Sequence, residues 1–186
     1  RDTDRSRGLG DVYKRQVIEE TANSDSSCLL NRATQGMYPP GSTFKILTTL
    51  EYIRENPNYK SYSYECEGDG IFNSVSIHCY NHKVHGTVSL EDSLAYSCNT
   101  SFSNIGTKLD MDALNKLCGD FLYNKELPYD GYYKKSSYTM TSKTDKSLIP
   151  QTVIGQGETL ITPLHNAMVM CAIANGGVLM KPYMMD

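Results

Sequence analysis

The chain has 186 residues, of which 39% are hydrophobic and 21% are charged, as is typical of one globular domain with its own core. Its 18 Lys and Arg residues and 21 Asp and Glu residues give a net charge of −3, which argues against a nucleic-acid partner. No apolar run is long enough to cross a membrane, and six scattered cysteines do not fit a small disulfide scaffold.

The first sixteen residues, RDTDRSRGLGDVYKRQ, differ in composition from the rest of the chain. They are rich in Arg and Asp, show no apolar period and lack the apolar centre of a signal peptide. They resemble translated adapter sequence, so we predict that residues 1–16 are a non-native leader and that residues 17–186 form the domain. The alternative is a genuine surface strand or linker.

Five helices are predicted in chain order, each from a start signal followed by apolar residues at helical spacing. They begin beside Ser42, Ser89, Asn99, Asp110 and Thr162, and Asn56-Pro57 ends the first. Short strands and turns are expected over 60–88, a long polar surface loop over 129–147, and a strand over 178–185. Because most helices precede the first good strand, the pattern favours an α+β fold whose sheet lies mostly outside this chain.

The segment PPGSTFK carries the strongest chemical signal. A stiff Pro-Pro-Gly turn places Ser42 at the tip of a helix, and Lys45 follows on the same face one turn later. A serine hydroxyl becomes a good nucleophile when a base takes its proton, and lysine serves as that base only when burial and the helix start lower its pKa. Taken alone, the motif is equally compatible with Ser42 as a helix cap and Lys45 as a surface residue.

Two later segments add polar groups that can reach the same cleft. SCNTSF places Ser97 and Asn99 two residues apart on a turn between helices, where the alternative is a simple helix cap. Cys98 between them is expected to point into the core. The Gly-Gln-Gly of IGQGETLITPLH allows a close backbone approach to a ligand. We therefore expect Gln156 and Gly157, together with Gly41, to contact the substrate.

Three segments of the chain are NRATQGMYPPGSTFKI, SCNTSF and IGQGETLITPLHNAMVMCAIANGGVLMKPY. Together they resemble the transpeptidase domain of class B penicillin-binding proteins, with the greatest similarity to those of clostridia-like Gram-positive bacteria. The resemblance covers about 17–186 and implies the penicillin-binding protein/β-lactamase-like α+β fold, here mostly its helical part. It implies that Ser42 is the acylated nucleophile and Lys45 its general base. Ser97 and Asn99 match the second motif, in which Ser97 assists proton transfer.

This resemblance implies a peptidoglycan D,D-transpeptidase, inhibited by β-lactams, that cross-links stem peptides ending in D-Ala-D-Ala through an acyl-serine. It implies no cofactor, a membrane glycosyltransferase partner, and an N-terminal anchor holding the domain on the extracytoplasmic face of the cell membrane. A D,D-carboxypeptidase, a β-lactamase and a β-lactam-sensing receptor ectodomain are alternatives on the same scaffold. The family's third motif, Lys-Thr-Gly, is not found in this sequence, so we expect a partial domain that is inactive when made alone.

A second set of residues has the chemistry of a zinc site. Its members are Cys66, Cys79, His82 and His85, with His78 alongside. The alternatives are a Cys66–Cys79 disulfide, or free thiols beside surface histidines. The short histidine spacing weighs against a zinc finger, and the three interpretations stay open. His165 is expected to have a capping or packing role.

Overall fold

The computed structural model of the chain describes residues 30–183, so the proposed leader over 1–16 lies outside the described residues. The described α-helices are α1 (Arg32–Gln35), α2 (Lys45–Glu55), α3 (Leu90–Ala95), α4 (Asn99–Gly106), α5 (Met111–Asp120), α6 (Ile149–Thr152) and α7 (Pro163–Ala174). The described strands are β1 (Tyr64–Cys66), β2 (Asp69–Phe72), β3 (Val75–His78) and β4 (Gly86–Val88). They form two antiparallel pairs, β1 with β4 and β2 with β3.

Helices α2, α4 and α5 enclose the main apolar core. Phe44, Leu47, Phe102, Ile105 and Leu114 are all at most 1% exposed. Burying each such side chain stabilises the fold by about 1.5–3 kcal/mol. The core therefore holds the first turn of α2 and the start of α4 against each other, and these are the two elements that carry the predicted polar motifs.

Four of the five predicted helix starts are confirmed, each with a side-chain cap that explains it. Ser89 forms a reciprocal capping box with Asp92, and the Asp110 carboxylate accepts from backbone N–H groups of α5. Thr162 accepts from the first turn of α7, and the Cys98 thiol caps α4. The start beside Ser42 differs, because Gly41–Phe44 forms a 3-10 turn and the α-helix begins at Lys45.

The segment 129–147 is irregular, as predicted, but it is not wholly on the surface. Ser137 pairs with Leu160 through both backbone hydrogen bonds, which makes the neighbouring residues alternate between core and solvent. Tyr138 is consequently buried and stacks on Phe44, with ring centroids 5.5 Å apart. This loop thus supports the element that carries Ser42.

The prediction of a strand over 178–185 is wrong for 178–183, which is the part of it that the structure describes. Residues 178–183 form no strand and pair with no described strand, and a strand requires such a partner. Lys181 instead pairs with Asp130 at 2.8 Å, and the last two residues of the predicted strand lie outside the described range. No helix within 30–183 combines the length and apolar character needed to span a bilayer.

Candidate active site

Two glycines hold the turn that presents Ser42. The backbone N–H of Gly41 donates to the carbonyl oxygen of Gly155 at 2.8 Å, and both residues have left-handed φ values, +58° and +76°. A Cβ on Gly155 would clash with the backbone of Gly41. Just before this turn, Tyr38 and Ile161 exchange two backbone hydrogen bonds. The backbone that carries Ser42 is therefore fixed from two sides.

Lys45 is fully buried, and its amine points into a ring of oxygen atoms. Nζ lies 3.2 Å from Oγ of Ser42, 2.8 Å from the carbonyl oxygen and 2.9 Å from Oγ of Ser97, and 2.7 Å from Oδ1 of Asn99. It also sits 5.6 Å above the centre of the Phe102 ring. The structure thus brings Ser42, Lys45, Ser97 and Asn99 together at one point.

Burial lowers the pKa of Lys45 from 10.5 to about 8, and the nearby Cys98 and Cys79 thiols act in the opposite direction. About one tenth of the amine is therefore neutral at pH 7. A neutral amine has two N–H groups and one lone pair. It can keep its bonds to Asn99 and to the carbonyl oxygen of Ser97 while the lone pair receives the proton of Ser42.

Ser97 and Asn99 are positioned by the backbone at the start of α4. Ser97 has a left-handed φ of +53°, which a non-glycine residue adopts at a cost of about 1–3 kcal/mol. This conformation lets its Oγ donate to Oγ of Ser42 at 2.8 Å while its carbonyl oxygen faces Lys45. Nδ2 of Asn99 donates to the carbonyl oxygen of His78 at 2.9 Å, which orients the amide so that Oδ1 faces Lys45.

An open cleft of about 500 Å³ lies in front of these groups. It is lined by Ser42, Tyr80, Lys83, His85, Ala95, Tyr96, Ser97 and Asn99. Gln156 and Gly157 are exposed and do not line this cleft, and Gly41 supports it from behind. Their contact with substrate stays a prediction. Gly155, the first glycine of the Gly-Gln-Gly segment, makes the supporting contact, so the close backbone approach there is to Gly41.

A cluster of three buried thiols and one imidazole lies behind the Ser97–Asn99 turn. Sγ of Cys66 is 3.8 Å from that of Cys79 and 3.3 Å from Nδ1 of His85, and the thiols of Cys79 and Cys98 are 3.7 Å apart. All three cysteines are free. Burial raises the pKa of Cys66, but hydrogen bonds to its thiol, of which that from Thr100 has the largest effect, outweigh burial and lower the pKa to about 6.

The structure brings together three of the four predicted ligands, Cys66, Cys79 and His85, and it places Cys98 beside them where His82 was expected. Asn81 and His82 have left-handed backbones and reverse the chain, so the His82 ring faces Asp69 at 2.7 Å. His85, three residues later, faces the thiols instead. Cys98 is buried as predicted, although its neighbours are other thiols as well as apolar groups.

His165 is also fully buried, and it does not line the cleft. One ring nitrogen lies 2.6 Å from Oγ of Ser136 and the other 2.6 Å from the carbonyl oxygen of Phe121. Burial lowers the pKa of His165, so the neutral ring accepts from Ser136 and donates to Phe121. These contacts agree with the predicted packing role.

A serine hydroxyl, a buried amine, a second hydroxyl and a carboxamide that meet at one cleft define a serine acyl-transfer site of the Ser-x-x-Lys class. A family model described as the penicillin binding protein transpeptidase domain matches residues 12–186, and the chain belongs to this family. The fold is accordingly the α+β fold of the penicillin-binding proteins.

Curated relatives agree with this assignment. The chain is 31% identical over 173 residues to the peptidoglycan D,D-transpeptidase PbpA of Mycobacterium tuberculosis, covering 91% of this chain and 35% of that protein. It is 27% identical to the peptidoglycan D,D-transpeptidase MrdA of Acinetobacter baumannii, covering 84% of this chain and 25% of that protein. The chain thus spans about a third or less of these relatives. They do not test the finer resemblance to clostridia-like bacteria.

Solved structures agree as well. Penicillin-binding protein A of M. tuberculosis, as an imipenem acyl-enzyme complex, superposes with a TM-score of 0.82 at 29% identity, covering 91% of this chain and 40% of that one. The D,D-transpeptidase domain of a peptidoglycan glycosyltransferase from Eggerthella lenta gives a TM-score of 0.77 at 27% identity, covering 92% of this chain and 45% of that one. Both are similar proteins with the same fold.

Proposed function

We propose that the full-length protein is a peptidoglycan D,D-transpeptidase that works through an acyl-serine at Ser42. The observation that carries this proposal is the position of Lys45 Nζ, buried between the hydroxyl of Ser42 and the amide of Asn99. Burial provides the neutral amine that a general base requires, and the amide holds it without adding a negative charge that would raise its pKa.

In the first half of the reaction, Oγ of Ser42 attacks the carbonyl carbon between the two terminal D-Ala residues, and Lys45 accepts its proton. The bond to the terminal D-Ala breaks, Ser97 relays a proton to the departing amine, and an ester to Ser42 forms. An amine of a second stem peptide then attacks the ester, which produces the cross-link and regenerates the hydroxyl. The backbone N–H of Ser42, near the start of the 3-10 turn Gly41–Phe44, is placed to stabilise the oxyanion, since the N–H of Gly41 is bonded to Gly155.

We propose β-lactams as inhibitors of the same site, because a β-lactam offers Ser42 a strained amide in place of the peptide. The imipenem complex of the M. tuberculosis relative supports this proposal. The family resemblance supports an N-terminal membrane anchor, an extracytoplasmic location and a membrane glycosyltransferase as partner of the full-length protein.

The test is a cross-linking assay with the full-length protein, a D-Ala-D-Ala donor peptide and an amine acceptor, followed by mass spectrometry. We expect release of D-Ala, a cross-linked product and an ester on Ser42, all lost in Ser42→Ala and retained in the exposed control Ser61→Ala. Hydrolysed donor without cross-links would instead indicate a carboxypeptidase. Sustained β-lactam hydrolysis would indicate a β-lactamase, and stable acylation without any peptide turnover would indicate a sensor.

We further propose that the buried cluster holds a structural zinc ion through Cys66, Cys79, Cys98 and His85. Zinc bound at about 2.3 Å from each sulfur in a tetrahedron requires sulfur atoms about 3.8 Å apart, and a sulfur-to-nitrogen separation of about 3.5 Å. The observed separations are 3.8 and 3.7 Å between sulfurs and 3.3 Å from Cys66 to His85. The residues present therefore fit the ion closely.

Such an ion would tie the end of β1 to the first residue of the Asn99 helix, because Cys98 lies directly between Ser97 and Asn99. The ion would have a structural role, and no step of the acyl transfer passes through it. We expect about one zinc ion per purified chain, lost in Cys79→Ser and kept in the control Cys171→Ser, whose thiol is exposed and remote. A metal-free protein whose Cys66 and Cys79 are joined, or whose thiols all react freely, would contradict this proposal.

A further inference from the structure

The exposed end of the β2–β3 hairpin gathers a second group of metal-binding side chains, separate from the thiols. Asp69 and His78 are directly opposite each other in the antiparallel register, and His82 follows on the next turn. One ligand atom from each lies within 4.8 Å of the other two, and all three residues are exposed. We propose that Asp69, His78 and His82 form a surface binding site for a divalent transition-metal ion.

The distances fit a metal with little rearrangement. Nδ1 of His82 lies 2.7 Å and Nδ1 of His78 lies 3.7 Å from the same carboxylate oxygen of Asp69. Ligands bound at about 2.0–2.2 Å from one ion are separated by about 2.9–3.5 Å, which falls between these two values. The imidazole rings are 5.1 Å apart and inclined by 37°, and both Nδ1 atoms approach the same oxygen of Asp69.

The backbone holds these side chains in place before any ion arrives. Asn81 and His82 have φ values of +50° and +53°, an unusual pair of left-handed non-glycine residues. Gly68 makes the turn possible, since a Cβ there would clash with the carbonyl oxygen of His82. The conformation turns His82 back onto the hairpin instead of toward the thiol cluster.

The donor set defines the kind of ion. Two imidazoles and one carboxylate suit zinc, nickel, cobalt or copper, and they lack the many oxygen ligands that calcium or magnesium require. Because the three side chains are exposed, the remaining coordination positions would be filled by water. Such a site binds its ion reversibly, in contrast to a buried set of thiolates.

The site adjoins the catalytic groups through the backbone of one ligand. The carbonyl oxygen of His78 accepts the hydrogen bond from Nδ2 of Asn99. An ion that ties His78 to Asp69 and His82 would therefore fix the strand end that orients Asn99. Binding of the ion is independent of the proposed transpeptidase activity and can be measured without it.

The test is a calorimetric titration with Ni²⁺ of untagged full-length protein that carries one equivalent of Zn²⁺, which the thiol cluster takes up first. We expect one further Ni²⁺ ion to bind per chain. His82→Gln and Asp69→Asn should each weaken that binding at least tenfold. Glu67→Gln, which removes an exposed carboxylate two residues from Asp69, should leave it unchanged. All variants are at exposed positions, and matching thermal unfolding curves would verify their fold.

NMR spectra recorded alongside the titration identify the histidine side chains that bind the ion. Substoichiometric Ni²⁺ should broaden the ring proton resonances of His78 and His82 in the NMR spectrum and leave those of buried His165 sharp. The proposal is overturned if no Ni²⁺ binds beyond the zinc, or if His82→Gln and Asp69→Asn both bind Ni²⁺ as the unmodified protein does. It is also overturned if the broadened resonances belong to His85 or His165 instead.

Discussion

Nζ of Lys45 donates a hydrogen bond of 2.7 Å to Oδ1 of Asn99, although 54 residues separate the two in the chain. The bond joins the helix that follows the nucleophile to the helix that follows the Ser97 turn. Asn99 is a neutral acceptor, so it positions the amine without the charge that would keep it protonated. Proximity to Ser42 and a lowered pKa therefore arise from the same arrangement.

Replacing Lys45 by arginine should abolish the base while keeping a long cationic side chain. A guanidinium does not lose its proton in a protein, so we expect the rate of acylation by a fluorescent penicillin to fall by about 10²–10⁴ in the full-length protein. Lys60→Arg, on an exposed turn outside the cleft, is the matched control and should react normally. Acylation of Lys45→Arg within a few-fold of the unmodified rate would show that Lys45 is not the base.

Replacing Asn99 by aspartate should raise the pKa of Lys45. A carboxylate in contact with the amine favours its charged form, typically by about 1–3 pKa units, so the rise of the acylation rate should move to higher pH. Asn73→Asp adds the same charge on the turn at the opposite end of the β2–β3 hairpin from His78 and should leave the profile in place. A profile that does not move in Asn99→Asp would contradict the contact.

Two nearby glycines offer a matched pair of substitutions. Gly155 and Gly157 have nearly equal left-handed φ values, +76° and +75°, so alanine costs about 1–2 kcal/mol at either position for that reason alone. Only at Gly155 would the added Cβ also clash with the backbone of Gly41. We expect Gly155→Ala to lower the rate of acylation at least tenfold. It should also lower the unfolding temperature by more than Gly157→Ala does. Equal effects of the two would indicate that the Gly41 contact does not hold the nucleophile.

The buried His165 predicts a loss of stability in mild acid. Its pKa in the folded state lies below the value of about 6.5 expected in the unfolded chain, so folding favours the neutral ring. The contribution of His165 to the free energy of unfolding is complete above pH 6.5 and is lost as the pH falls through the folded-state pKa. Over that range the free energy of unfolding falls by up to about 1.4 kcal/mol per pH unit. His165→Gln should lack this slope in urea unfolding between pH 7.5 and 5. Identical slopes would show that His165 does not titrate on unfolding.

Local spacing was sufficient to predict four of the five helix starts and the proximity of Ser42 to Lys45, because each depends on a single helical turn. The meeting of Lys45 with Ser97 and Asn99 was predicted through the family motifs. What supports the turn was harder to predict, since the contact between Gly41 and Gly155 joins distant backbones and leaves no periodic signal in the sequence.

The structure differs from the sequence-based predictions where a residue's position depends on contacts between several segments. The choice of Cys98 over His82 beside the thiols follows from two left-handed residues, and their conformation is set by packing against Gly68. Tyr138 is buried because Ser137 pairs with Leu160. A strand after Val178 requires a neighbouring strand, and a strand's own residues do not reveal whether a partner is available.

The most direct test of Lys45 as the base for Ser42 is the pH dependence of Ser42 acylation in the full-length protein. A base with a pKa of about 8 is about one tenth neutral at pH 7 and about nine tenths neutral at pH 9. The acylation rate by penicillin should therefore rise about tenfold between these values and level off above them, with the adduct mapped to Ser42 by mass spectrometry. A rate that is constant from pH 6 to pH 10, or an adduct on another residue, would contradict a neutral Lys45 as the base for Ser42.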